Sequence, residues 1–308
     1  MRATLVIPTY NRAERLRALL ECVARQESDS LARVVVCDDG SSDHTRDVVA
    51  AFEERLSLRY EHQEDLGFRA GQARNMGVRA AVGDVVIFVD DDVLLRPDFV
   101  ERHLQAHRAQ DRPCVVLGFR HRTEGFAGTI PSWEEIVSAE RDDRVGDLRG
   151  AEVHDHPHPW IFVYSCNFSI RLGPEVYFDE GFEGWGMEDT ELGYRLHRAG
   201  YRIVAEPDAR VLHVEDPTPR DPFRCEAREL PPSYCSYVRN AVYFMDKYPD
   251  DAELRAWIRG DLRWYVLDEL GRWVKNGYEN DVDFVIDTCR RQIAARRGLS
   301  PEPRNRAF

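Results

Sequence analysis

Apolar residues along the first 120 positions follow two alternating rhythms. Short unbroken runs, Leu5-Val6-Ile7, Val34-Val35-Val36-Cys37, Val85-Val86-Ile87-Phe88-Val89 and Cys114-Val115-Val116-Leu117, are bounded by charge, glycine or proline and predict strands buried on both faces. Between them, apolar positions return every three or four residues. Leu16, Leu19, Leu20 and Val23 form one such stripe and Val48, Val49, Phe52 and Leu56 another, while Gln72 to Ala81 and Phe99 to Arg108 read as two further helices. Leu58 to Glu61 reads as a short additional strand. Strands and helices in this order predict an α/β fold with a Rossmann-like, mostly parallel central sheet flanked by helices.

From Arg120 to Pro159 the periodicity fails, and His154, His156 and His158 sit among prolines; a stretch of this length reads as a functional loop. Pattern returns at Ile161 to Ile170. Leu192, Leu196 and Ala199 mark a helix ending at Gly200, with short strands over Arg202 to Val204 and Arg210 to Val214. Beyond Pro217-Thr218-Pro219 the chain becomes helical and rich in Trp and Tyr, over Ser233 to Lys247, Ala252 to Val274 and Val282 to Arg296. The expected organisation is one domain over 1–216 and a helical C-terminal appendage over 217–308.

Composition narrows the function. A net charge of -13 argues against nucleic acid, whose phosphates call for a basic surface, but leaves room for a nucleotide held through a metal. No run approaches the roughly 20 apolar residues that span a bilayer, and Met1-Arg2-Ala3 leads straight into a strand without the pattern of a signal peptide. Seven scattered cysteines without a Cys-x-x-Cys pair read as reduced structural residues. Together these predict a cytoplasmic protein, with peripheral association with a membrane left open. The aromatic positions Trp257, Trp264, Tyr265 and Trp273 read as helix core, with an acceptor or dimer surface as the alternative.

Candidate chemistry lies where strands end. Asp90-Asp91-Asp92 closes a buried strand, and packing gives no reason for three carboxylates there. A hard divalent cation, Mg2+ or Mn2+, wants clustered carboxylates and also takes phosphate oxygens; a solvated turn before the next helix is the alternative. Asp38-Asp39-Gly40 ends another strand and is either part of a site or a plain turn with Asp43 as helix N-cap. Glu188-Asp189 opens a helix after Gly184-Trp185-Gly186, and His213 ends a late strand. Each alone has an ordinary reading, as dipole complement or core histidine.

Taken together, Pro8-Thr9-Tyr10-Asn11, Asp38-Asp39-Gly40-Ser41-Ser42-Asp43, Ala73-Arg74-Asn75 with Gly77, Asp90 with Asp92, and Glu188-Asp189 resemble the family 2 glycosyltransferases of the GT-A fold over about residues 3 to 214. The stretch Gly184-Trp185-Gly186-Met187-Glu188-Asp189 with His213 after it is similar to the C-terminal half of β-1,4-galactosyltransferases, which usually carry a second glycine at the place of Met187. The resemblance implies an inverting, metal-dependent transfer of a hexose or N-acetylhexosamine from a nucleoside-diphosphate sugar, UDP first among nucleotides, to a hydroxyl of a glycan, lipid-linked saccharide or natural product. It implies a donor site at Pro8, Tyr10, Asn11, Asp39, Asp90 and Asp91, metal ligation by Asp92 and His213 with support from Asp90, and Asp189 as base with Glu188 orienting hydroxyls.

Weaker signals surround these residues. Arg69 and Arg74 are candidates for the diphosphate, Trp185 for a mobile aromatic stacking on a sugar, and Trp133, Trp160 and the three histidines for an acceptor site. Pro8-Thr9-Tyr10-Asn11 in place of a glycine-rich turn disfavours a nicotinamide-dependent Rossmann enzyme. A metal-dependent phosphohydrolase explains the aspartate run but leaves Glu188-Asp189 unexplained. A non-catalytic nucleotide-sugar or glycan-binding protein is the alternative outside enzymes.

Overall fold

The computed structural model describes residues 1–124, 140–141, 153–215, 233–269 and 271–296. The chain divides into two compact units, Met1–Gly181 with Glu188–Pro217, and Phe182–Met187 with Thr218–Phe308.

The first unit carries β1 (Ala3–Thr9), α1 (Ala13–Val23), β2 (Leu31–Asp38), α2 (Thr45–Ala50), β3 (Leu58–His62), α3 (Ala70–Ala80), β4 (Val85–Val89), β5 (Val93–Leu95), α4 (Phe99–Arg108), β6 (Cys114–Glu124), β7 (Glu140–Arg141), β8 (Asn167–Arg171), α5 (Glu188–Arg198) and β9 (Arg202–Glu215). Its nine-stranded sheet runs β3-β2-β1-β4-β8-β6-β9-β5, with β7 paired to β6. The half β3-β2-β1-β4 is entirely parallel. β8 then runs antiparallel between β4 and β6, and β9 is parallel to β6 and antiparallel to β5. This is the α/β architecture of the GT-A fold.

The apolar runs become the sheet's fully buried strands; Leu16, Leu19, Leu20, Val48, Val49 and Phe52 pack in one core with Leu5, Ile7, Val34, Val36, Val85, Ile87 and Val89, while Cys114 and Val116 belong to a smaller one. Parallel pairing sets Thr9 beside Asp38 and Val6 beside Phe88, so β1, β2 and β4 end at one edge, where β2 and β4 release their carboxylates. That edge is where ligands of open α/β sheets sit. Asp43 then serves both adjacent helices. Its Oδ2 accepts from the Ala13 N–H at 3.1 Å and its Oδ1 from the Thr45 N–H at 3.0 Å.

Several boundaries differ from the sequence reading. The helix expected through Leu56 ends at Ala50, and turns carry the chain on with Phe52 still buried. β6 continues past Arg120 to Glu124 because β9 pairs with it all the way. The two short strands expected around 202–214 are one strand, with a register shift opposite Gly118/Phe119. There the buried Asn167 fills the gap, its Nδ2 donating to the Phe119 and Ala209 carbonyls at 3.1 and 2.8 Å. β5 had no signal of its own in the sequence.

The second unit holds α6 (Ser233–Lys247), α7 (Ala252–Leu262), β10 (Tyr265–Leu267), β11 (Trp273–Lys275) and α8 (Val282–Arg296). The helix expected over Ala252 to Val274 therefore stops at Leu262, and an antiparallel hairpin follows. There Tyr265, Val266 and Leu267 pair with Lys275, Val274 and Trp273. Tyr265 and Trp273 are buried, as core residues. Among the described residues no helix is long and apolar enough to cross a membrane, and the six described cysteines are free thiols. Cys225, Trp133, Asp216 and the 216/217 boundary lie outside the described residues.

Candidate active site

Asp90 follows the last residue of β4 and leads into the Asp91-Asp92 turn. Its Oδ1 accepts from Arg74 Nη2 at 2.7 Å. Arg74 comes from the middle of α3, which packs so closely that a Cβ on Gly77 would lie 2.4 Å from Val6 Cγ1. The buried guanidinium faces the Phe178 ring at 5.4 Å, and its Nη1 stands 3.5 Å from Glu188 Oε1. One cation therefore joins the end of β4 to the start of α5. The expectation that Arg74 meets a diphosphate gives way to this inward role, because its guanidinium is already buried between two carboxylates.

Asp91 turns inward. Thr9 Oγ1 donates to its Oδ2 at 2.7 Å and Arg12 Nη1 to its Oδ1 at 3.0 Å, so both oxygens are engaged by the protein rather than offered to a donor. Burial pushes its carboxyl up to about 6 against the pull of Arg12. Asp92 shares the same cation, with Arg12 Nη1 donating to its Oδ2 at 2.7 Å. Burial acts to raise this carboxyl too, but His213, Arg12 and Arg15 outweigh it and hold Asp92 below its usual range.

Asp92 and His213 meet because β5 and β9 are in antiparallel register, with Val93 opposite His213. The imidazole Nε2 lies 3.5 Å from Asp92 Oδ1. Among the described residues that buried oxygen accepts no hydrogen bond. Nor, among them, do three or more His, Cys, Asp or Glu side chains gather as a metal site. A carboxylate oxygen without a hydrogen bond beside an imidazole nitrogen fits a divalent cation that takes its remaining ligands from elsewhere.

Around β2 the acids are held by the protein. Asp38 is fully buried and accepts from the Gly40 and Ser41 amides and from Tyr60 Oη. Asp39 accepts from Gln63 Nε2 at 2.5 Å and from the Arg69 amide at 2.7 Å, and burial raises its carboxyl. Arg69 is committed locally, to Gln72 Oε1, the Glu64 carbonyl and Asp39. Pro8 lies in β1, and Asn11, at a φ of 51°, accepts through Oδ1 from the Ser42 and Asp43 amides. Tyr10 stays 45% exposed, with its hydroxyl donating to Asp65 Oδ2.

Glu188 and Asp189 begin α5. Burial and the Asp189 charge push Glu188 up to about 7, against Arg74. Asp189 Oδ2 accepts from the Ser165 amide at 3.1 Å and Oδ1 from the Thr190 amide at 2.8 Å. Its carboxyl is nonetheless raised, by burial first. A helix N-terminus alone would lower it, so desolvation wins here.

Trp185 belongs to the second unit and is 42% exposed. Its backbone N–H and carbonyl are both bound to Ser236 Oγ. Trp160, expected as an acceptor contact, is buried with its ring edge-on to Tyr194, and His154 bonds Arg202. Sequence reasoning missed Arg12, Thr9, Ser165 and Gln63. Arg12 and Thr9 flank or fall within the Pro8 to Asn11 run, but only the folded register shows what they touch.

The fold is of the GT-A class, and the carboxylates of β2 and β4 lie at one edge of its sheet. Residues 4–167 match the family model described as Glycosyl transferase family 2, more than half of the 308 residues, and the chain belongs to that family. Validoxylamine A glucosyltransferase of Streptomyces hygroscopicus subsp. jinggangensis (strain 5008) is 40% identical over 232 residues, covering 67% of this chain and 54% of that protein. The chain spans about half the length of the first curated relatives it matches. Among solved structures, the mannosyltransferase PcManGT from Pyrobaculum calidifontis in complex with GDP-Man and Mn2+ aligns at a TM-score of 0.57 and 18% identity, over 98% of this chain and 76% of that one. S. aureus TarS 1-349 in complex with UDP-GlcNAc aligns at 0.53 and 18% identity, over 85% and 71%.

Proposed function

We propose that this chain is an inverting glycosyltransferase that uses a divalent metal and a nucleoside-diphosphate sugar to glycosylate a hydroxyl acceptor. The observation that carries the reading is the linkage of two carboxylate centres through Arg74: Asp90 beside Asp92 and His213 on one side, Glu188 and Asp189 on the other. Family membership and GT-A neighbours bearing GDP-Man or UDP-GlcNAc support it. The first donor to test is a UDP-hexose, UDP-glucose included because a 40% identical relative is a glucosyltransferase; a small natural-product acceptor is brought forward on the same ground, beside glycans and lipid-linked saccharides.

In this reading Asp92 and His213 hold Mn2+ or Mg2+, which when bound screens the charge that collects on a leaving diphosphate. Pro8, Tyr10, Asn11 and Asp39 receive the nucleoside. Asp189, raised by burial, takes the proton of the acceptor hydroxyl while that oxygen attacks the anomeric carbon from the face opposite the leaving group. Glu188 orients hydroxyls and Arg74 holds it beside Asp90. One in-line displacement inverts the anomeric centre, so an α-linked donor yields a β-linked product.

A thermal-shift panel of UDP, GDP and dTDP with their sugars, each with Mn2+, Mg2+ or EDTA, tests the donor site, because a ligand of the native state raises the midpoint. A shift that needs both a nucleotide and the metal, followed by sugar transfer to an acceptor, supports the reading. Nucleotide binding without transfer to any acceptor would leave a binding protein instead.

A further inference from the structure

Three of the four residues that precede Glu188 have positive φ. Gly184, Gly186 and Met187 have φ of 76°, 102° and 74°, all in the left-handed region. For Met187 that conformation is strained, and such strain persists only where the surroundings over-determine it.

Within the second unit, α6 supplies the determination. Ser236 Oγ accepts from the Trp185 N–H at 3.0 Å and donates to the Trp185 carbonyl at 3.1 Å, so one hydroxyl grips both polar groups of one residue. One turn on, the buried Asn240 donates through Nδ2 to the Gly186 carbonyl at 2.8 Å. Arg239 donates to the Glu183 carbonyl. Tyr237 lies so close that a Cβ on Gly186 would meet it at 2.8 Å, and its ring sits 5.8 Å from that of Trp185. Tyr237 is itself backed by Tyr265 at 5.7 Å and anchored through its hydroxyl to Asp261.

We infer that Ser236 and Asn240 are positioning residues for sugar transfer: α6 clasps the Gly184–Met187 turn, the segment of chain that leads directly into Glu188-Asp189. The inference rests on the glycosyltransferase reading. Its physical core is that Met187 is joined to Glu188 by a single peptide bond, so a fixed φ at Met187 limits the paths open to the first turn of α5. A clasp made in advance removes the ordering cost that a loose turn would carry at each turnover.

The test uses the full chain with Ser236→Ala and Asn240→Ala. Expected are a kcat for transfer reduced about tenfold to a hundredfold, UDP affinity with Mn2+ within about twofold of wild type, an unchanged binding stoichiometry, and faster amide exchange at Trp185 to Met187. Unreduced kcat in both variants, despite faster exchange, overturns the positioning role. Unchanged exchange overturns the clasp itself. A wild-type chain that transfers no sugar while the variants still lose protection would sink the glycosyltransferase reading and leave the clasp standing.

Discussion

Arg74 Nη1 lies 3.5 Å from Glu188 Oε1 across 114 residues of chain. Both groups are buried, and the arginine also holds Asp90 at 2.7 Å. Even so, burial and Asp189 keep the Glu188 carboxyl up at about 7. A folded pKa above the unfolded one means that the group's stabilising share is complete below the usual glutamate range and is lost as pH rises through about 7. Glu188→Gln should therefore stabilise the free protein at pH 8 by on the order of 2 kcal/mol, and by little at pH 5. Urea titrations at the two pH values check this. A destabilised variant at pH 8 would show that attraction to Arg74 exceeds the cost of burying the charge.

Asp189→Asn keeps the side chain's shape, gives up one of the two acceptors that meet the Ser165 and Thr190 amides, and removes the base. Donor binding should stay within about twofold while transfer falls about a thousandfold or more. The wild-type kcat should rise with pH along a limb set by the Glu188–Asp189 pair, since the carboxylate form is the one that takes a proton, and burial raises both groups. A variant that transfers sugar normally moves the base elsewhere.

Asp92 and His213 are predicted to hold the metal. Asp92→Ala and His213→Ala should each weaken Mn2+-dependent UDP binding about tenfold or more, by analogy with the loss of one ligand or its support. UDP binding measured in EDTA should hardly change. Equal UDP affinity with Mn2+ in wild type and Asp92→Ala would remove the assignment.

The parallel half of the sheet was legible because strands buried on both faces read as unbroken apolar runs, and α4 was read over the same residues that it occupies. Asp92 was legible as a metal candidate from the carboxylate run that closes a buried strand, but its pairing with His213 came only through resemblance, since their meeting depends on β5, three residues long and without a period to detect. Arg74 read as a diphosphate contact because local pattern cannot show that Gly77 lets α3 sink onto the sheet. The hairpin after α7 was hidden by a helical-looking stretch rich in Trp and Tyr.

A second buried network makes a separate claim about stability. His103 Nδ1 and His107 Nε2 both contact Ser169 Oγ, at 2.8 and 2.9 Å, and His103 Nε2 contacts Asn167 Oδ1 at 3.0 Å. Burial pushes His103 down to about 3 and His107 down to about 4. Both must charge on unfolding in acid, so their share of stability is intact above pH 6.5 and is lost as pH falls from there toward 4 and 3. Each pH unit below 6.5 should remove up to about 1.4 kcal/mol per histidine. Urea titrations from pH 7 to 4.5 should show a flatter decline in His107→Asn than in wild type; parallel curves would refute the coupling.

Gly77 ties stability to the site. An alanine there would put its Cβ 2.4 Å from Val6 Cγ1 and 2.8 Å from Cys37 Sγ, both on fully buried strand residues. Helix propensity favours alanine over glycine by about 1 kcal/mol. Overpacking in a rigid core costs about 1–3 kcal/mol, and neither strand can yield without disturbing its parallel partners. The clash should win, leaving Gly77→Ala less stable. Relief by lifting α3 would also carry Arg74 away from Asp90 and Glu188, so kcat should fall by more than the folded fraction explains. Thermal melts paired with kcat on the folded fraction distinguish the two effects. A stabilised variant with full activity would mean that the sheet accommodates the methyl, and that the close approach of α3 does not set the position of Arg74.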